Sequence, residues 1–176
     1  MTEAEFWNLI DLARRSVATN DDMPKWLVTR LKEMPDSEIA DFGRIFRQAS
    51  RRAYDERLWA AAFAISHHFA SNDVFDDFRG WLIAQGKDTY ERALLNPDSL
   101  ADLNFFDGEN GKNARLERIL SVADVAYELK TEGKDLGDLI GLLPPPILQN
   151  EGIWDGKFET LEKIVPRLYA KFCTKG

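Results

Sequence analysis

Leu58-Trp59-Ala60-Ala61-Ala62-Phe63-Ala64-Ile65 is the longest apolar run in the chain. The run contains neither glycine nor proline, and a helix that is apolar on all sides is normally enclosed by other helices. We therefore predict a buried central helix from Leu58 to His68. The run is far shorter than the roughly 20 apolar residues that span a bilayer, so we do not expect the chain to cross a membrane.

The rest of the chain reads as further helices joined by short turns. Thr2 and Glu5 have the spacing of a capping box, in which each side chain binds the other's backbone N–H. Pro166 is expected to kink or split the last helix, near residues 158–172. The chain lacks runs of alternating apolar and polar residues, so we predict an all-α, single-domain, irregular helical bundle of about seven or eight helices. This domain spans residues 1–176, with the C-terminal helices of 113–176 packed on the rest.

The composition is that of a soluble globular protein with an acidic surface. Of the 176 residues 44% are hydrophobic, and 30 Asp and Glu against 23 Lys and Arg give a net charge of −7. This balance argues against nucleic-acid binding, which needs a basic surface, and suits a basic protein partner. Cys173 is the only cysteine, so no internal disulfide can form. The first residues lack the basic start and apolar run of a signal peptide, so we expect a cytoplasmic protein.

His67 and His68 are the only histidines. Neighbours on a helix point about 100° apart, so the two cannot hold one metal together while helical. No third histidine exists to complete a zinc site. One of them could act as a general base beside a carboxylate such as Asp73. We favour a place at a helix C-terminus, where the helix dipole stabilises a histidine, and predict no catalytic residue and no cofactor.

Three carboxylates, those of Asp73, Asp76 and Asp77, cluster near the start of a predicted helix. Helical spacing puts Asp73 on one face with each of the other two, an arrangement that suits Mg²⁺. The simpler interpretation is that the helix dipole stabilises acidic residues in a first turn, and that Asp76 pairs with Arg79. We therefore predict no metal site.

The same helix supplies the candidate ligand-binding residues. Arg79 lies close to Trp81 in the sequence, and the planar guanidinium of an arginine can grip a carboxylate or a phosphate. One interpretation is a pocket for a small anionic ligand. The other, which we favour for Arg79, is an ion pair that locks two helices together. The candidate site residues are Ser71, Asp73, Arg79, Trp81 and Gln85.

Four arginines form a basic stripe on one predicted helix, at Arg44, Arg47, Arg51 and Arg52. The stripe could meet an acidic partner or a phosphate. We favour a solvated helix face balanced by neighbouring carboxylates, and nucleic-acid binding ranks last among the functions considered. The loop at residues 107–111 is similar to a calcium loop but lacks the regular ligand spacing and the closing Glu of an EF-hand.

Several uncommon sequence pieces follow one another in the first 105 residues. They are Phe6-Trp7-Asn8-Leu9-Ile10, Leu58-Trp59-Ala60-Ala61-Ala62, Ser71-Asn72-Asp73-Val74-Phe75, Phe78-Arg79-Gly80-Trp81-Leu82-Ile83, Gln85-Gly86 and Asn96-Pro97-Asp98-Ser99-Leu100-Ala101. Together they resemble a bacterial family, frequent in actinomycetes, that is called domain of unknown function four-two-four-zero. The resemblance implies a domain core at residues 1–105 but brings no established activity. The family pattern has Ser-Asp-Asp where this chain has Asn72 in the middle, which weakens a metal role there.

Two classes of function follow from these observations. The first is a non-enzymatic binding or regulatory module, such as an immunity- or antitoxin-like protein that masks a protein partner. We favour it because the chain is small, acidic and without a catalytic constellation. The second is a small-molecule or anionic-ligand binder, or an enzyme, with a pocket near residues 71–85.

Overall fold

The computed structural model describes residues 1–66, 68, 70–103, 114–141 and 143–174, and their regular structure is helical. Within those ranges the only strand-like pairing is an isolated bridge between Asp55 and Gln149. The all-α prediction is therefore confirmed. The α-helices are α1 (Glu3–Ser16), α2 (Met23–Lys32), α3 (Asp36–Arg52), α4 (Glu56–Ile65), α5 (Asn72–Ala84), α6 (Lys87–Leu95), α7 (Val122–Thr131), α8 (Gly137–Ile140), α9 (Phe158–Ile164) and α10 (Pro166–Phe172). Short 3₁₀ segments lie at Asn20–Asp22, Pro97–Asp102 and Glu117–Ser121.

Local sequence signals set several helix ends. The capping box at the start of α1 is present, with the Glu5 N–H donating to the Thr2 hydroxyl and the Thr2 N–H donating to the Glu5 carboxylate. Ser71 caps α5 by accepting a hydrogen bond from the Val74 N–H. Pro166 begins α10 and separates it from α9, so the last predicted helix is split in two. The splitting, together with the four-residue α8, brings the described α-helices to more than the seven or eight that were expected.

The predicted central helix is α4, and its end requires a correction. It begins at Glu56 and ends at Ile65 rather than at His68. His68 lies beyond the helix with a positive φ of 68°, a left-handed conformation that cannot continue an α-helix. Although the run is apolar throughout, Trp59 and Phe63 are only partly buried, because one side of α4 faces the surface.

Helix α5 is the most enclosed helix of the bundle. It packs against α1, α3, α4, α6 and the Glu117–Ser121 segment, and each residue from Phe78 to Ala84 is buried. Gly80 permits the closest of these approaches. A Cβ at this position would lie 2.8 Å from Ile119 Cγ2 and 2.9 Å from Leu120 Cδ2. Because α5 is buried to this extent, most of its side chains contact other helices rather than solvent.

Aromatic side chains fill the core between α1, α3 and α6. The ring centroids of Phe6 and Phe42 lie 5.0 Å apart, as do those of Trp7 and Tyr90. The buried Tyr90 hydroxyl donates a 2.8 Å hydrogen bond to the Ala49 carbonyl, and burial raises the pKa of this phenol. The later helices close the bundle, with α7 against α2 and α3, and α10 against α4. None of the helices in the described ranges has the length and apolar content needed to cross a membrane.

Candidate functional site

The five candidate site residues lie along α5 and do not converge on one point. Ser71 precedes the helix and Gln85 follows it, so the 14-residue rise separates them by about 21 Å. Asp73 is exposed in the first turn, whereas Trp81 is buried in the last. A single pocket that uses all five side chains is therefore not formed in this structure.

Arg79 is a structural link between α5 and α3. Its side chain is buried, with 6% of the residue exposed, and its guanidinium forms an ion pair with Asp76. The same guanidinium donates a 2.8 Å hydrogen bond to the Ser50 carbonyl of α3. Its Cζ lies 4.9 Å from the centroid of the Tyr54 ring and 5.2 Å from that of the Phe75 ring. Asp76, rather than Asp73, is the carboxylate partner, as the structural interpretation of the sequence required.

Gln85, the residue that follows α5, also has a local partner. The Gln85 side chain donates a 3.2 Å hydrogen bond to the Trp81 carbonyl, one helical turn back. Among the described residues, no group of three or more His, Cys, Asp or Glu side chains is placed to hold a metal ion. Burial, followed by the negative charge of Glu117, raises the pKa of Asp77. The carboxylates near the start of α5 therefore offer no assembled metal centre.

Each arginine of the predicted basic stripe on α3 joins that helix to another part of the chain or to a carboxylate. Arg44 pairs with Asp41 and donates a 3.3 Å hydrogen bond to the Leu139 carbonyl. The other three contacts are Arg47 with the Asp124 carboxylate at 3.0 Å, Arg51 with the Pro144 and Pro145 carbonyls, and Arg52 with the Glu91 carboxylate at 3.3 Å. The arginines of the stripe therefore link α3 to α6, α7, α8 and the extended segment after α8.

A shallow hollow lies at the surface between α1 and α3. Its volume is about 100 Å³, whereas small-molecule pockets are usually about 300 Å³ or more. It is lined by Glu3, Trp7, Ile45, Gln48, Ala49 and Arg52. The hollow is too small to enclose a metabolite of ordinary size.

An aromatic cluster at the surface is the feature that sequence reasoning missed. We call it the aromatic surface cluster, and it consists of Phe63 of α4, His68, Trp154, Phe158 of α9 and Tyr169 of α10. The Phe63 centroid lies 5.0 Å from the Trp154 ring and 6.0 Å from the Phe158 ring. The His68 ring meets the Phe158 ring edge-on at 4.8 Å. None of the five residues is buried, and Phe158 is 40% exposed.

Two carboxylates hold the segment that carries Trp154. Glu56, at the start of α4, accepts hydrogen bonds from the Ile153 N–H at 2.7 Å and the Trp154 N–H at 3.1 Å. Asp155 accepts a 2.6 Å hydrogen bond from the Thr160 hydroxyl and further bonds from Lys157. These bonds, with that from Thr160 the strongest, lower the pKa of Asp155 to about 2. Trp154 is therefore presented by an ordered turn rather than by an untethered loop.

His68 is the one predicted histidine whose position is described, since His67 lies outside the described residues, as does the 107–111 loop. The His68 N–H donates a 2.9 Å hydrogen bond to the Phe63 carbonyl, which places the ring just beyond the end of α4. The residue is exposed. Its position matches the predicted place at a helix C-terminus and adds a partly polar ring to the aromatic surface cluster.

Comparison with known proteins identifies the family but not a function. The sequence model of the family described as a protein of unknown function (DUF4240) matches residues 1–129, so the chain belongs to this family. The match extends beyond residue 105, where the resemblance in the sequence ended. Neither the curated proteins nor the solved structures include a match. Trp154, Phe158 and Tyr169 of the aromatic surface cluster follow the matched region.

Proposed function

We propose that this DUF4240 member is a non-enzymatic binding module that contacts a protein partner through its aromatic surface cluster. The observation that carries the proposal is that five aromatic rings in connected contact all reach the surface. Aromatic side chains are enriched where proteins bind one another, because they bury a large, rigid area at a low cost in conformational entropy. Fully burying one such side chain contributes roughly 1.5–3 kcal/mol.

Most of the polar residues of the candidate site support a non-catalytic role, because other groups of the protein already bind their side chains. Arg79 and Gln85 are engaged by groups of the protein itself, and Ser71 caps a helix. An anionic ligand at residues 71–85 would have to draw Arg79 away from both Asp76 and Ser50. The specific form that we propose is immunity- or antitoxin-like, in which the acidic chain masks a basic partner, since the net charge is −7.

Site-specific photo-crosslinking in the native host tests this proposal. A benzophenone amino acid replaces Phe158 in one variant and Leu12 of α1 in a control variant. The two positions are matched in exposure, at 40% and 47%, but lie on helices that pack on different parts of the bundle. We expect a discrete protein adduct from position 158 that position 12 does not give. The proposal fails if position 158 gives no adduct, or if both positions give the same adducts.

A further inference from the structure

We infer that the aromatic surface cluster takes a cationic side chain, arginine above all, from a basic segment of the partner protein. The inference rests on the proposed function, because it assigns a chemistry to the partner of the same surface. Two kinds of observation carry it, namely the arrangement of the aromatic rings and the carboxylates beside them.

The rings of the cluster are inclined to one another instead of lying flat. The planes of Phe63 and Trp154 meet at 57°, those of Phe63 and Phe158 at 64°, and those of His68 and Phe158 at 79°. Such inclined contacts are the usual packing of aromatic pairs, and they leave Phe158 40% exposed. The negative face of an exposed ring attracts a cation placed within about 6 Å of its centroid. Recognition of ammonium groups by aromatic side chains uses the same attraction between a cation and a ring face.

Two carboxylates that form no ion pair within the described residues, Glu159 and Glu162, lie on α9, the helix that begins at Phe158. Glu162 follows Phe158 by four residues on α9, so the two side chains share one face of the helix. Within the described ranges neither Glu159 nor Glu162 forms an ion pair. Asp155, in contrast, pairs with Lys157 and accepts a hydrogen bond from Thr160. A cation that lies against Phe158 is therefore within reach of a free carboxylate, which favours a basic partner over a neutral or acidic one.

The protein already contains this mode of cation recognition in its interior. The Arg79 guanidinium lies over the rings of Tyr54 and Phe75 and pairs with the Asp76 carboxylate. Two rings and one carboxylate thus hold a guanidinium within the fold. The surface cluster offers the same elements, rings and a carboxylate, and among the described residues no lysine or arginine lies over its rings.

The test titrates the full chain against two labelled eight-residue peptides and follows fluorescence anisotropy at low ionic strength, where screening is weakest. One peptide alternates glycine and arginine. The other replaces each arginine with citrulline, which keeps the shape and removes the charge. We expect the arginine peptide to bind at least about tenfold more tightly than the citrulline peptide. Equal affinities for the two peptides would overturn the inference.

Three variants locate the binding. Phe158→Leu keeps an apolar side chain but removes the ring face, and Glu162→Gln removes one carboxylate. Each substitution should lower the affinity for the arginine peptide several-fold. Glu33→Gln, at the exposed end of α2, changes the net charge by the same amount and should leave the affinity unchanged. A Glu33→Gln effect as large as that of Glu162→Gln would show that only the overall charge matters, and would overturn the inference.

The crosslinking and peptide-binding results together show whether this inference, the proposed function or both are wrong. An adduct at position 158 in a chain that binds neither peptide would mean that the surface has a partner of other chemistry, such as an apolar segment or a second copy of this chain. The inference would then be wrong and the proposed function would stand. Absence of both the adduct and peptide binding would contradict both. Thermal unfolding of each variant confirms that it is folded under the assay conditions.

Discussion

Replacing Arg79 with alanine should cost far more stability than replacing an arginine at the surface. The substitution leaves the partly buried Ser50 carbonyl without this donor, which costs roughly 1–3 kcal/mol. It also removes the guanidinium from the rings of Tyr54 and Phe75, worth about 1 kcal/mol each. The lost pair with Asp76 adds little, because the Asp76 side chain is half exposed and can be hydrated. We therefore expect the free energy of unfolding to fall by about 4 kcal/mol.

Urea unfolding followed by far-ultraviolet circular dichroism measures this loss directly. In a chain of this size the melting temperature should fall by roughly 8 to 16 °C. Arg52→Ala is the matched control, because Arg52 is exposed, pairs with the partly exposed Glu91 and lies over only one ring, that of Tyr90 at 5.8 Å, so its loss should cost about 1 kcal/mol. A folded Arg79→Ala variant that loses less than about 1 kcal/mol would refute a structural role for this arginine. That result would favour the alternative interpretation, an anionic ligand at residues 71–85.

Three further predictions concern stability and can be checked by the same unfolding method. Gly80→Ala should destabilise the protein by roughly 1–3 kcal/mol, because the added methyl group would overlap Ile119; an unchanged stability would contradict the close packing of α5. Thr2→Ala should cost about 1 kcal/mol through loss of the capping box with Glu5, and no loss at all would show that α1 does not depend on it. The pKa of Asp155 is lowered in the folded state, so its contribution is present above the ordinary carboxyl pKa and lost as the pH falls from about 4 to about 2. The stability difference between wild type and Asp155→Asn should shrink over that interval, and a difference independent of pH would contradict the assigned hydrogen bonds.

Features that depend on residues near one another in the chain were predictable. The capping box at Thr2 and the cap at Ser71 need only three-residue spacings, and Pro166 disrupts a helix wherever the helix packs. The pairing of Arg79 with Asp76 follows from helical spacing in the same way. These signals sufficed for the all-α class and for the structural interpretation of Arg79.

Features that depend on distant residues were not predictable. Phe63 was expected to be enclosed because it belongs to an apolar run, but its ring neighbours Trp154 and Phe158 come some ninety residues later in the chain. The sequence showed the four arginines of α3 only as a basic stripe. Most of the groups that bind them lie in other segments of the chain, so their partners could not be identified from helical spacing. A single sequence carries no record of such pairings, and the contacts of Phe63 with Trp154 and of Phe63 and His68 with Phe158 all depend on them.

The central claim is that the aromatic surface cluster is the binding face, and nuclear magnetic resonance of the tryptophan indole N–H groups tests it most directly. The glycine–arginine peptide is titrated into the nitrogen-15-labelled chain, with the citrulline peptide as the control. We predict that the Trp154 signal moves with the arginine peptide alone, while those of the buried Trp7 and Trp81 stay in place. A Trp154 signal that does not move, or five indole signals that move alike, would contradict the claim.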